Sequence, residues 1–145
     1  MKMTRWAGFV VSVISCLTLF ACNNQNETQN LANTSWTLQS LGNTNNVTPV
    51  LRSGTIKLTF NEDQKSYNGF DGVNSYSGTC KVKGDTISIG TTTQTLIGTT
   101  DQELSRQLAT YHDLLQKAGS FKITNGELTI NCDDGQILIF TRVNP

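Results

Sequence analysis

Between residues 35 and 140 the chain falls into short runs in which apolar and polar residues alternate, the pattern of strands with one face buried. Trp36, Leu38 and Leu41 fall two or three apart in "SWTLQSLG", and Ile56, Leu58 and Phe60 alternate in "TIKLTF". Tyr76, Cys80 and Val82 share a parity in "NSYSGTCKV", and after the "KGD" turn Ile87 and Ile89 continue in a partner strand. Near the end "SFKIT", "GELTI" and "QILIF" form three more runs, joined by Asn125-Gly126 and by "DDG". Asn-Gly between alternating runs is a strong hairpin signal, because both residues tolerate positive φ. The pattern predicts a meander of antiparallel strands.

One segment departs from this rhythm. In "TTDQELSRQLATYHDLLQKAG", Leu104, Leu108, Tyr111, Leu115 and Ala118 recur at spacings of four and three, which puts them on one helical face. Thr100 with Glu103 fits a capping box and Gly119 fits a C-terminal stop, so a helix of roughly 18 residues is expected. Its apolar stripe covers one opening or face of the curved sheet. The fold class that follows is mainly β (α+β): a small antiparallel curled sheet or incomplete β-barrel with one α-helix packed on it, in a single domain over residues 34–145.

The first 33 residues follow neither period. Lys2 and Arg5 form a basic head, and from Trp6 to Ala21 no charge occurs while Phe9, Val10, Val11, Val13, Ile14, Leu17, Leu19 and Phe20 make the run apolar. This is the layout of a secretory signal peptide, residues 1–21, and it is shorter than the roughly 20 predominantly apolar residues of a membrane span. The run stops at Leu19, Phe20, Ala21 and Cys22, which resembles the bacterial lipobox, with Phe20 bulkier than that motif usually carries. The resemblance implies lipidation of Cys22 by diacylglyceryl and palmitate-like acyl chains, and two or more chains anchor stably to a membrane. Residues 22–33, "CNNQNETQNLAN", have almost nothing to bury and are expected to be a flexible Asn/Gln-rich tether. Asn23 after the cysteine resembles the sorting signal for the enterobacterial outer membrane. From Cys22 onward nine basic and eleven acidic residues remain, a net charge of −2, with no basic run, which argues against a nucleic-acid partner.

Further motifs carry a family resemblance. "SWTL", "GFDGVNSYSGTC", "ISIGTTTQT", "FKITNGELTI" and "GQILIFTR" resemble, in that order, the META domain (HslJ-like) family. The resemblance covers most of the chain from Thr34 onward. It implies an incomplete barrel with one helix, often in envelope lipoproteins with a link to heat shock and stress response, and no established enzymatic activity. Where the family reads G-C-N, this chain has Gly72, Val73 and Asn74, and a second cysteine common in the family falls near Ile97.

Of the four cysteines, Cys16 leaves with the signal peptide and Cys22 takes lipid. Cys80 and Cys132 remain in a compartment that permits disulfides, both on core-facing parities. A disulfide between them is expected if their strands adjoin, and two inert buried thiols are the alternative. No CxxC or Cys/His spacing suggests a metal site, and no cofactor is implied.

Catalytic signals are sparse. His112, the one histidine, lies one position off the helix stripe beside Asp113 and reads as a partly exposed helix residue. A serine or cysteine nucleophile needs an oriented base, and no other residue here supplies one conventionally. Glu62/Asp63 and Asp133/Asp134 fall in turns, where acids bond locally. Gly69, Gly72 and Gly78 around Asn74 and Tyr76 fit tight bends of the sheet better than a recognition loop, with Asn74 holding a neighbouring backbone. The expectation is a non-enzyme: an envelope lipoprotein that binds a protein partner or supports stress tolerance. The alternative is a carrier or pilot-like module that shelters an acyl chain or apolar peptide in the barrel mouth.

Overall fold

The computed structural model describes residues 29–52 and 54–143. The signal segment, Cys22 and residues up to 28 lie outside the described residues. Among the described residues the strands are β1 (Thr34–Asn43), β2 (Asn46–Pro49), β3 (Lys57–Phe60), β4 (Ser66–Phe70), β5 (Ser75–Lys83) and β6 (Thr86–Gln94). The helix α1 (Gln102–Gln116) follows, then β7 (Ala118–Thr124), β8 (Glu127–Cys132) and β9 (Gln136–Arg142).

The strands form one antiparallel sheet in the order β2-β1-β3-β4-β5-β6-β7-β8-β9, and β1 also pairs with β9. Eight strands, all but β2, therefore close into a barrel, which corrects the expectation of a curled sheet or incomplete barrel. The closure depends on β1. One edge takes β9 from Trp36 to Asn43, while the other takes β3 over Thr34–Thr37 and β2 over Ser40–Asn43. Alternation along a strand says which face is buried, not which edges meet. At the β6–β7 seam the pairing narrows to Thr86 opposite Ser120, supported by Phe121 N donating to Asp85 O at 2.7 Å.

The uneven apolar spacing in β1 has a local cause. A bulge between Leu38 and Ser40 shifts the register, so inward positions run Trp36, Leu38, then Leu41. Asn125 and Gly126 take φ of 53° and 75° and turn β7 into β8, as their sequence predicts. The interior is filled by Trp36, Phe60, Tyr67, Tyr111 and Phe140, each under 2% exposed.

By alternation of strand direction, the loops before β3, between β4 and β5, and after β6 gather at one end of the barrel. α1 lies over this end, packed on β6 and β9, with Leu104, Leu108, Tyr111, Leu114 and Leu115 buried. The predicted capping box does not form; the side chain of Asp101 accepts from Glu103 N and Leu104 N at 3.0 Å each, because from the N-cap it reaches the second and third helical amides. The helix is also shorter than expected. Ala118 stays buried but opens β7, drawn from the helix by its pairing with Cys132.

The opposite end is closed by residues assigned above to the tether. Leu31 is fully buried, and Thr34 N and Oγ1 both donate to its carbonyl. The Gln29 carboxamide accepts from Ile123 N at 2.7 Å and donates to Ile123 O at 2.9 Å. Residues 29–33 are thus docked on the barrel. Burying one leucine contributes roughly 1.5–3 kcal/mol, which together with the Gln29 bonds holds this short polar segment in place.

Candidate site at the helix-covered end

The turn from β4 to β5 brings two buried polar side chains under α1. Asp71 is 1% exposed and Asn74 is 8%. Asp71 Oδ1 accepts from Val73 N at 2.9 Å and Asn74 N at 2.6 Å, and Asp71 N donates to Asn74 O at 2.9 Å. Such a tight turn requires φ of +96° at Gly72, which also lets its backbone approach Gly54. Asp71 Oδ2 meets His112 Nε2 at 2.9 Å, so one carboxylate ties the turn to the helix.

Asn74 serves the next loop. Its Oδ1 accepts from Thr95 Oγ1 at 2.8 Å and Ile97 N at 2.7 Å, while Nδ2 donates to Ile97 O at 3.1 Å. The expected role for Asn74, holding a neighbouring backbone, is therefore what the structure has. The same bonds hold the backbone of Ile97 beside the β4–β5 turn.

Beside this pair lies an aromatic cluster. Tyr76 and Tyr111 rings both stand edge-on to the His112 ring at 5.1 Å. Tyr76 donates to Lys57 O at 2.7 Å and accepts from the Tyr111 hydroxyl at 2.6 Å. Burial pushes both phenols well above their ordinary ionisation range, so they act as neutral hydrogen-bonding groups. The glycines make room for these rings. Gly69 stands opposite Tyr76, and a Cβ there would lie 2.2 Å from Lys57 O and 2.4 Å from the Tyr76 hydroxyl; Gly78 stands opposite Tyr67 in the same way, 2.5 Å from its hydroxyl. The structural reading of these glycines holds.

The Asp71–His112 pair attaches the β4–β5 turn to the helix. Among the described residues the His112 ring bonds only Asp71, and no serine, threonine or cysteine is bonded to it. The sequence reading of His112 as a bland helix residue missed the pair. Its signal was present in two halves: His112 flanks the helix stripe, and Asp71 sits in the "DGVN" turn, but nothing local joins residues 41 apart.

The cysteines fall elsewhere. Cys80 on β5 and Cys132 on β8 are both free, which corrects the expected disulfide. Parity was read correctly in that Cys80 is buried, but β6 and β7 separate the two strands. Cys80 Sγ instead donates to Gln64 O at 3.4 Å. Burial, the largest cause, pushes each thiol to about 11, with a nearby aspartate adding to it. Cys22 lies outside the described residues. Between the β1–β2 hairpin and α1 runs a cleft of about 400 Å³ lined by Leu41, Pro49, Leu51, Arg106, Gln107 and Thr110.

Comparison with known proteins agrees with this layout. A family profile described as the META domain matches residues 29–145. No curated protein matches the chain. Among solved structures, an NMR structure of a protein from Burkholderia xenovorans is 24% identical with a TM-score of 0.68, covering 81% of this chain and 87% of that one. A crystal structure of a DUF4847 family protein from Bacteroides vulgatus is 14% identical with a TM-score of 0.56, covering 77% and 93%. At these identities the likeness establishes the fold.

Proposed function

Because the chain belongs to the META domain family, a family resting here on residues 29–145, we propose that it is a non-catalytic lipoprotein of the bacterial envelope that works by binding a protein partner. The observation that carries this reading is the filled interior. Trp36, Phe60, Tyr67, Tyr111 and Phe140 occupy the space in which a carrier would hold its cargo, so binding falls to the outside of the domain. The Asp71–His112 pair and the neutral tyrosines serve to fix α1 rather than to transform a substrate. Anchoring rests on the sequence before the domain, where Cys22 ends an apolar run.

Metabolic labelling with palmitate and detergent partitioning test the anchor. Wild-type chain is expected to take label and enter the detergent phase, and Cys22→Ser to take no label and leave an uncleaved or soluble precursor; wild type that stays unlabelled and aqueous refutes the lipoprotein reading. Affinity purification from envelopes of the native host, with and without lipid, tests the partner. The cleft beside Leu41 and Leu51 favours the second reading, an acyl or apolar-peptide carrier. Calorimetry with palmitate separates the two, since tight one-to-one uptake weakened by Leu51→Asp supports the carrier.

A further inference from the structure

The outer wall of the barrel across β1, β3, β4, β5 and β6 is unlike an ordinary protein surface. Charged residues make up 15% of the sequence, against about 25% in typical domains. Ser35, Thr59, Asn68, Ser77 and Thr93 stand opposite one another, one per strand, in an unbroken row of hydroxyl and carboxamide groups. At about 4.8 Å between strands the row is about 19 Å long. In the next row Phe70, 43% exposed, lies between Lys57 and Ser75. A large ring thus stands on the outer face, nearly half exposed among polar neighbours.

The β4–β6 part of this wall is concave. A groove of about 510 Å³ is lined by Asn68, Ser75, Ser77, Thr93, Gln94 and Thr95, none of which carries a charge. Part of their bonding capacity is used within the wall, since the Thr95 hydroxyl donates to Asn74 Oδ1 at 2.8 Å and accepts from Ser75 N at 3.2 Å and Thr93 Oγ1 donates to Ser77 O at 3.3 Å, and the rest is open. The Ser77 and Thr93 hydroxyls are 3.4 Å apart, a weak contact, and Asn68 uses its Nδ2 on Asn61 Oδ1 at 3.2 Å while its Oδ1 has no partner among the described residues. β4 and β5 are paired on both edges, so a peptide lying across the groove finds no free backbone there to extend the sheet, and one exposed ring gives it no apolar trough. The chemistry that suits the wall is a neutral chain of sugars. Its hydroxyls exchange hydrogen bonds with carboxamides and hydroxyls, and the C–H face of one ring covers Phe70.

We propose that the groove on β4, β5 and β6, with Phe70 at its border, binds a neutral polysaccharide. This site stands apart from the protein-partner reading and does not depend on it. The test uses the full chain in detergent micelles, titrated calorimetrically with maltoheptaose, cellohexaose and chitohexaose, and with dextran sulfate as the charged comparison. Saturable uptake of at least one neutral oligosaccharide is expected. Phe70→Ala and Asn68→Ala should each weaken it about fivefold, Phe70→Tyr should restore it, and Lys122→Ala on β7 should leave it unchanged. Melting curves establish that each variant is folded, and Ser77→Ala replaces any that is not. No saturable uptake of the three neutral probes, uptake of dextran sulfate alone, or uptake indifferent to both groove variants overturns the proposal. Phe70-dependent self-association without sugar uptake also overturns it, and marks the wall as a protein-docking surface instead.

Discussion

Removing either half of the Asp71–His112 pair should destabilise the domain, but not equally. The side chain of Asp71 is 2% exposed and that of His112 is 22%. Asp71→Ala leaves the amides of Val73 and Asn74 without an acceptor, frees the turn that carries Gly72, and strips His112 of its partner. A loss of about 3–5 kcal/mol is expected, since each buried donor left without an acceptor costs about 1–3 kcal/mol and the bond to His112 is lost as well. His112→Ala leaves the carboxylate two amide donors, at 2.9 and 2.6 Å, so the cost falls to about 1.5–3 kcal/mol for one charge-assisted bond. Asp71→Asn should be milder than Asp71→Ala, because one carboxamide oxygen still serves both amides. Urea unfolding of the single and double variants at constant pH gives a coupling energy, expected at roughly 1–2 kcal/mol. A coupling within about 0.3 kcal/mol of zero, or a His112→Ala as costly as Asp71→Ala, would show that the turn does not hold the helix in this way.

Gly69→Ala should cost about 1–3 kcal/mol in a thermal melt or prevent folding, because the contact at 2.2 Å is with a backbone carbonyl; a variant as stable as wild type contradicts the packing of Tyr76. Leu31→Ala should cost about 2–5 kcal/mol by the same assay, whereas loss near zero would return residues 29–33 to the tether. Mass spectrometry of denatured, unreduced protein should find Cys80 and Cys132 as free thiols, and reductant should leave the melting temperature unchanged. Alkylation of both in the native state should be slow at pH 8 and rise toward pH 11, since both thiols are pushed to about 11 and only the thiolate reacts; rapid labelling at pH 8 counts against that burial.

Most strands announced themselves through alternation, and those that did not have a physical reason. β4 places Tyr67 inward but then Gly69, so the second apolar position is empty and the opposite Tyr76 fills it from β5. No period survives in "SYNGF". β2 is exposed at all four positions and thus has no inward face to read. The helix stripe was legible to within a turn, but the choice of Asp101 over Thr100 as cap depends on where the chain enters. Pairing was the least legible layer. Barrel closure by β9 on β1, the separation of Cys80 from Cys132, and the meeting of Asp71 with His112 all join residues far apart in sequence. The docking of Gln29 and Leu31 escaped notice because one leucine among amides gives no periodic signal.

The pairing of β1 with β9 has a consequence for the order of events during synthesis. Trp36 lies opposite Arg142, so the first strand waits for the last, and the closing contacts span nearly the whole domain. Contacts of such separation form slowly, since the intervening chain must be ordered before they repay its entropy. Until the final strand emerges, β1 and β8 each present an unpaired edge, and the nascent chain is a substrate for chaperones and proteases rather than a half-built barrel. A premature stop within β9 should therefore remove far more than seven residues' worth of structure, leaving a chain degraded as a whole.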